Sequence, residues 1–211
     1  MPRPTLRDPE RGDARIRLLE AARDVIRRKG FGETSVDELC REAGVTKGAF
    51  FHHFRTKEAL GVAVAVFWSE TTGALFDAAP YHGPDDPLDR VLAYLDFRRV
   101  IIDGSVPTFT CLVGTMAQEV HETSPAIREA CAESIFGHAA TLEPDIRAAI
   151  KARGIEPNGW DAASLARHTQ AVLQGAFVLA KAGNDADLAR ESMDHLRRYI
   201  EMLFEDPRAK A

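Results

Sequence analysis

Residues Ser35–Ala59 read SVDELCREAGVTKGAFFHHFRTKEA, and the fold is decided there. Ser35 is placed to cap a helix over Val36–Ala43, and Glu38, three residues on, completes a capping box. Val36, Leu39, Cys40 and Ala43 share one face at helical spacing. Gly44 supplies a left-handed residue to end that helix, and Val45 plugs the corner. Thr46 caps a second short helix, Lys47–Phe54, and Thr56 caps a third that opens at Lys57. Two short helices around a glycine turn make a helix-turn-helix, the unit whose second helix enters a DNA major groove.

The second helix has suitable content. Its first turn is Lys47, Gly48 and Ala49, one cation beside two residues too small to hold the backbone off base edges. Phe50 and Phe54 face inward, while Phe51, His52 and His53 stay outside, where rings and imidazole donors reach phosphates and thymine methyls. The same spacing also fits a small helical subdomain with a solvated lysine and two surface histidines, so the pattern alone leaves both readings open.

Val45–Leu60, VTKGAFFHHFRTKEAL, resembles the DNA-binding signature of the TetR family of bacterial transcriptional regulators. The similarity runs from about Ile16 through Leu60, and the general layout extends to the C-terminus. The resemblance implies that Thr46, Lys47, Gly48, Ala49, His52 and His53 lie at the DNA, with Thr34 and Ser35 at the opening of the preceding helix. It implies that Lys57 holds a phosphate. The family usually has Tyr where Phe51 stands, so the ring is kept and the hydroxyl lost. Cys111–Val120, CLVGTMAQEV, is similar to the opening of the sixth helix in a TetR subgroup, some of whose members use a Cys here to sense electrophiles or oxidants. A thiol near a helix N-terminus has its anion favoured by the unpaired amides; a buried, inert Cys111 is the competing reading.

Working outward, charge and composition fit this reading. Residues 1–60 hold 13 Lys and Arg against 10 Asp and Glu, whereas residues 61–211 hold 14 against 22. A mildly basic head on an acidic body suits a chain that touches phosphate at one end, despite a net charge of −5. Three cysteines without paired spacing argue against a disulfide framework or a zinc site, and no metal or cofactor is expected. No run approaches a membrane span, the N-terminus lacks an apolar signal-like region, and a cytoplasmic protein is expected. There is no Gly-rich phosphate loop, HExxH or GxSxG, which argues against an enzyme.

The expected architecture is all-α, about nine helices, with a helix-turn-helix domain over 1–60 joined to a helical ligand-binding and dimerisation domain over 61–211. Residues 1–12, with Arg3, Arg7 and Arg11, read as a mobile arm, and Asp13 as the cap of a first helix with Ile16, Leu19, Ala22 and Ile26 inward. Further helices are expected from Lys57 to about Ala79, from Pro87 to Asp103, from Phe109 or Thr110 to Thr123, and from Pro125 to Arg153 with a bend or break at Pro144. Gly104–Pro107 reads as a turn. The last two helices are capped by Asp161 and by Asn184 or Asp185.

Those last helices carry wide apolar bands. Leu165, Thr169, Val172, Leu173 and Ala176 on one, and Leu196, Tyr199, Ile200 and Leu203 on the other, suit a four-helix bundle between two copies. A homodimer would present two recognition helices to a palindromic double-stranded operator; a monomer with a wide core is the alternative. The family's lever is a small-molecule inducer bound in the body, for which Trp68, Tyr94, Phe97, Arg98, Cys111, Met116, Phe136 and Phe177 are the candidate lining, each equally readable as core. Function is thus expected to be ligand-responsive repression, with activation or a helical protein-interaction adaptor as alternatives.

Overall fold

A computed structural model describes residues 9–205; residues 1–8, including Arg3 and Arg7 of the expected arm, and residues 206–211 lie outside the described residues, as does the side chain of Arg11. The described residues are all-α, without a strand: α1 Pro9–Lys29, α2 Val36–Ala43, α3 Lys47–His53, α4 Lys57–Asp77, α5 Pro87–Val100, α6 Val106–Phe109, α7 Leu112–Val120, α8 Pro125–Arg153, α9 Ala162–Gly183 and α10 Asp187–Glu205, with one 3-10 turn at Pro80–His82.

Several expectations are corrected. The described residues hold ten α-helices, in line with the about nine expected, but the segment Gly104–Pro107 read as a turn opens α6, with Pro107 inside its first turn, where no amide donor is needed. Helix α7 accordingly opens at Leu112. Helix α1 opens at Pro9, so the backbone of Asp13 lies within it rather than ahead of it, and its side chain lies outside the described residues. Ile16 is 41% exposed, since Leu18, Leu19, Ala22, Val25 and Ile26 form the buried stripe. Pro144 lies inside an unbroken α8. Asn184, in the left-handed region at φ 49°, closes α9, while the Asp185 carboxylate accepts the Asp187 amide at 2.9 Å and opens α10. Contrary to the expectation for membrane spans, α4 is long and apolar enough to cross one by length and composition; Leu60, Val64 and Ala65 on it are buried within the protein, while Val66 and Leu75 are exposed.

The chain forms two compact units. Of the described residues, one takes those up to Thr71 together with Leu112–Ser134; the other takes Thr72–Cys111 and those from Ile135 onward. In the first, α1 packs on α2, α3 and α7 around Leu18, Leu19, Ile26, Leu39, Phe50, Leu60 and Met116, all without appreciable exposure. A side chain on Gly61 would meet Ile127 and Phe31, so α4 and α8 approach closely there. In the second, α10 packs on α9 and α5, and the core gathers Tyr94, Leu95, Ile146, Leu173, Ala180, Met193 and Ile200.

Candidate functional site

The helix-turn-helix is held by local bonds that the sequence dictates. Ser35 Oγ accepts the Glu38 amide at 3.2 Å, but the reciprocal half of the capping box is absent: the Glu38 carboxylate pairs with Lys29 Nζ at 2.5 Å. That pairing also lowers the Glu38 pKa. Gly44, at φ 62°, donates to the Arg41 carbonyl at 3.2 Å while Val45 donates to Cys40 at 2.9 Å, which ends α2 in a Schellman turn. Thr46 Oγ1 then accepts the Ala49 amide at 3.1 Å and opens α3. Phe50 and Phe54 are buried and anchor α3 on the core, their rings 5.8 Å apart.

The outer face of α3 is open. Lys47, Gly48 and His52 are exposed, Phe51 is 53% exposed, and Ala49 and His53 are half-buried. Lys47 Nζ lies 2.6 Å from Asp37 Oδ1, and this bond raises the Lys47 pKa. Burial first, then the neighbouring His52 and the charge of Arg15, lower the His53 pKa. Such a face, with one cation, two imidazoles and a ring around a glycine, can donate to phosphates and stack on sugar and thymine methyls.

The flanking candidates are placed differently. Thr34 is buried and its hydroxyl donates to the Gly30 carbonyl at 2.6 Å, whereas Ser35 is exposed and engaged as the α2 cap. Lys57 Nζ donates to the Gly32 carbonyl at 3.0 Å and sits 4.5 Å from the Phe31 ring centre; burial lowers its pKa. Gly32 in turn donates to Glu119 Oε2 at 2.8 Å, so α7 grips the α1–α2 turn.

In the second unit an aromatic cluster surrounds one cation. Arg98 Nε donates to the Tyr94 hydroxyl at 2.8 Å, and its Nη2 donates to His138 Nε2 at 2.7 Å. The guanidinium carbon stands 4.2 Å from the Phe76 ring centre and 5.3 Å from that of Tyr94. Gln170 Nε2 donates to the Tyr94 hydroxyl at 3.3 Å, and Tyr81 and Phe97 close the aromatic wall. Since guanidinium can only donate, His138 Nε2 is an acceptor and the imidazole is neutral. Burial, then the nearby Arg98 charge, push the His138 pKa down to about 3, and burial pushes Tyr81 up to about 12.

Of the predicted lining, the structure thus brings together Tyr94, Phe97 and Arg98. Phe177 and Cys111 belong to the same hydrophobic core, Cys111 immediately ahead of α7. Trp68, with Arg27 over its ring at 5.0 Å, and the buried Met116 belong to the first unit, and Phe136 is 59% exposed. Phe76, Tyr81, His138 and Gln170 were missed. The signal that could have found them is weak: Tyr94 and Arg98 are four apart on one helix, but their partners come from other helices.

The predicted dimer residues also divide. Leu165, Thr169, Leu173, Ala176, Leu196 and Ile200 are buried inside the chain, filling its own core. Val172 and Leu203 are half-buried and Tyr199 is exposed, joined on the surfaces of α9 and α10 by Val178, Leu179 and Met202, the last 69% exposed. Among the described residues no His, Cys, Asp or Glu group forms a metal-binding cluster.

Comparison with known proteins agrees with this geometry. Residues 18–64 match the bacterial regulatory proteins of the tetR family, and residues 87–196, just over half the chain, match the tetracyclin repressor-like C-terminal domain. The transcriptional regulator AcuR of Cereibacter sphaeroides is 31% identical over 115 residues, 53% of this chain and 51% of that protein. The HTH-type transcriptional repressor NemR of Escherichia coli K12 is 31% identical over 137 residues, 62% of this chain and 65% of that protein. The chain therefore matches between about half and two thirds of the length of these relatives. A crystal structure of a TetR transcriptional regulator from Chloroflexus aurantiacus superposes with a TM-score of 0.78 at 25% identity, covering 92% of this chain and 97% of that one. The structure of reduced E. coli NemR gives 0.70 at 25%, covering 88% and 97%. With an N-terminal helix-turn-helix and a helical C-terminal domain each matched by its own family, this chain belongs to the TetR family of DNA-binding transcriptional regulators.

Proposed function

We propose that the chain is a ligand-responsive repressor that binds a palindromic operator as a homodimer and is released by a small molecule or an electrophile. In this reading residues 1–60 carry DNA binding, residues 61–211 carry ligand binding and dimerisation, and no catalytic step is involved. The protein works in the cytoplasm. The observation that carries the proposal is the outer face of α3, capped by Thr46 and anchored by Phe50 and Phe54, with Lys47, Phe51 and His52 turned outward. Thr46, Gly48, Ala49 and His53 complete the groove face, Ser35 flanks it, and Lys57 reaches a phosphate by leaving Gly32. Gel-shift titration against the DNA upstream of its own gene tests this: Lys47→Ala combined with His53→Ala abolishes sequence-selective binding, and unchanged affinity would refute the reading.

Dimerisation is supported by the apolar surface that α9 and α10 keep after filling their own core: Val178, Leu179, Tyr199 and Met202. Sedimentation equilibrium is expected to give a dimer at micromolar concentration; a monomer sinks that part of the proposal. Repression, rather than activation, is supported by the similarity to NemR, named a transcriptional repressor. Release by an electrophile rests on Cys111, half-buried and directly before α7. If Cys111→Ser loses DNA on electrophile treatment just as the parent does, the thiol is not the trigger.

A further inference from the structure

In the second unit, Arg90, Arg99, Arg147, Arg153, Arg190 and Arg197 each have a carboxylate within 4.0 Å. Arg98 has none among the described residues, and unlike Arg167 and Arg198, which have none either but are exposed, it is half-buried. Its neighbours are instead the rings of Phe76 and Tyr94, the Tyr94 hydroxyl and the neutral His138. Two of its five N–H groups are used; Nη1 bonds to nothing among the described residues. A half-buried guanidinium held by aromatic faces and neutral acceptors has lost part of its hydration without gaining a counter-charge, an arrangement that a buried site tolerates poorly unless an anion joins it.

We propose that Arg98 is the anchor for a small organic carboxylate, whose apolar body packs on Phe76, Tyr81 and Phe97. The inference deepens the ligand-responsive reading and rests on it for its regulatory meaning. A carboxylate is selected over a phosphate ester because the site offers one positive charge, and a planar guanidinium pairs with a carboxylate through two parallel bonds. His138 and Gln170 act as positioning residues: they fix the Tyr94 hydroxyl, which fixes Arg98 Nε and leaves the Nη1 edge to the ligand. The wall of three aromatic residues selects an apolar or unsaturated body over a polyhydroxylated one.

The test uses the full chain and calorimetric titration with benzoate and hexanoate, beside benzamide, hexanamide and inorganic phosphate. At least one acid is expected to bind and raise the melting temperature, while its amide and phosphate do not. Arg98→Met, which replaces the cation by an apolar chain of similar length, is expected to weaken acid binding by at least about tenfold, and Arg98→Lys to retain part of it. Absence of binding by both acids, equal binding of an amide, preference for phosphate, or full affinity in Arg98→Met overturns the proposal. The comparison of acid with amide in the parent protein stands even if a variant fails to fold. Operator binding by the ligand-free chain is measured in parallel: DNA bound without acid binding removes this inference alone, and acid bound through Arg98 without DNA binding removes the regulator reading alone.

Discussion

The ammonium of Lys47 lies 2.6 Å from the carboxylate of Asp37, tying the first turn of α3 to the first turn of α2. Both side chains are mostly exposed, so the pair is weak and a DNA phosphate can compete for the cation. Asp37→Asn leaves Lys47 without its internal partner and removes a negative charge beside the groove face. Operator affinity at fixed salt is expected to rise about two- to fivefold, read by fluorescence anisotropy. A fall in affinity would mean that the carboxylate orients Lys47 rather than occupying it.

Phe51 is 53% exposed on the face proposed for DNA, with its ring edge-on to Phe50 at 5.2 Å. Phe51→Tyr adds a hydroxyl at the solvent end of a ring already held in place. One added bond to a phosphate is expected to tighten binding by about threefold to tenfold. A gel-shift titration that gives unchanged or weaker binding removes Phe51 from the contact surface.

His138 makes stability depend on pH with a definite sign. Its folded pKa is about 3 against an ordinary 6.5, so the unfolded chain takes up a proton at a pH where the folded chain does not. The contribution is complete above pH 6.5 and is lost as pH falls from there toward 3. Between pH 7 and 5 this one group costs the parent about 2 kcal/mol relative to His138→Gln. Urea unfolding of both proteins at the two pH values measures it, and parallel losses would show that His138 is not held neutral.

Gly30 adopts φ 93°, and a Cβ there would collide with the Glu119 carboxylate. Gly30→Ala therefore meets backbone strain and also displaces the group that accepts the Gly32 amide. A loss of about 1–3 kcal/mol in unfolding free energy is expected. Stability within experimental error of the parent would show that Glu119 gives way freely and that the clamp on the α1–α2 turn is slack.

What could be read beforehand was what local chemistry fixes. Thr46, Gly44, Ser35 and Asp161 act through neighbours three or four residues away, and their caps form as the sequence reads. The failures came where two local partners compete or where distant helices meet. Glu38 had Ser35 as its sequence neighbour but took Lys29, whose charge offers the stronger bond. Ile16 and Leu18 both fit an apolar stripe, and only packing against the rest of the first unit selects Leu18. Arg98 and Tyr94 were legible as a pair on one helix, but their link to His138, 40 residues away, and of Tyr94 to Gln170, 76 residues away, depends on tertiary folding.

The compact unit that bears the helix-turn-helix is not a continuous stretch of chain, because it includes Leu112–Ser134. Glu119 holds Gly32, Ser124 hydrogen-bonds to Glu58, and Met116 and Ile127 are buried within it. A chimaera that swaps operator preference between relatives by exchanging only the N-terminal segment would therefore pair foreign surfaces in one core. Transplanting both stretches together keeps that core intact, and it makes the second stretch part of the inheritable unit on which selection for a new operator must act.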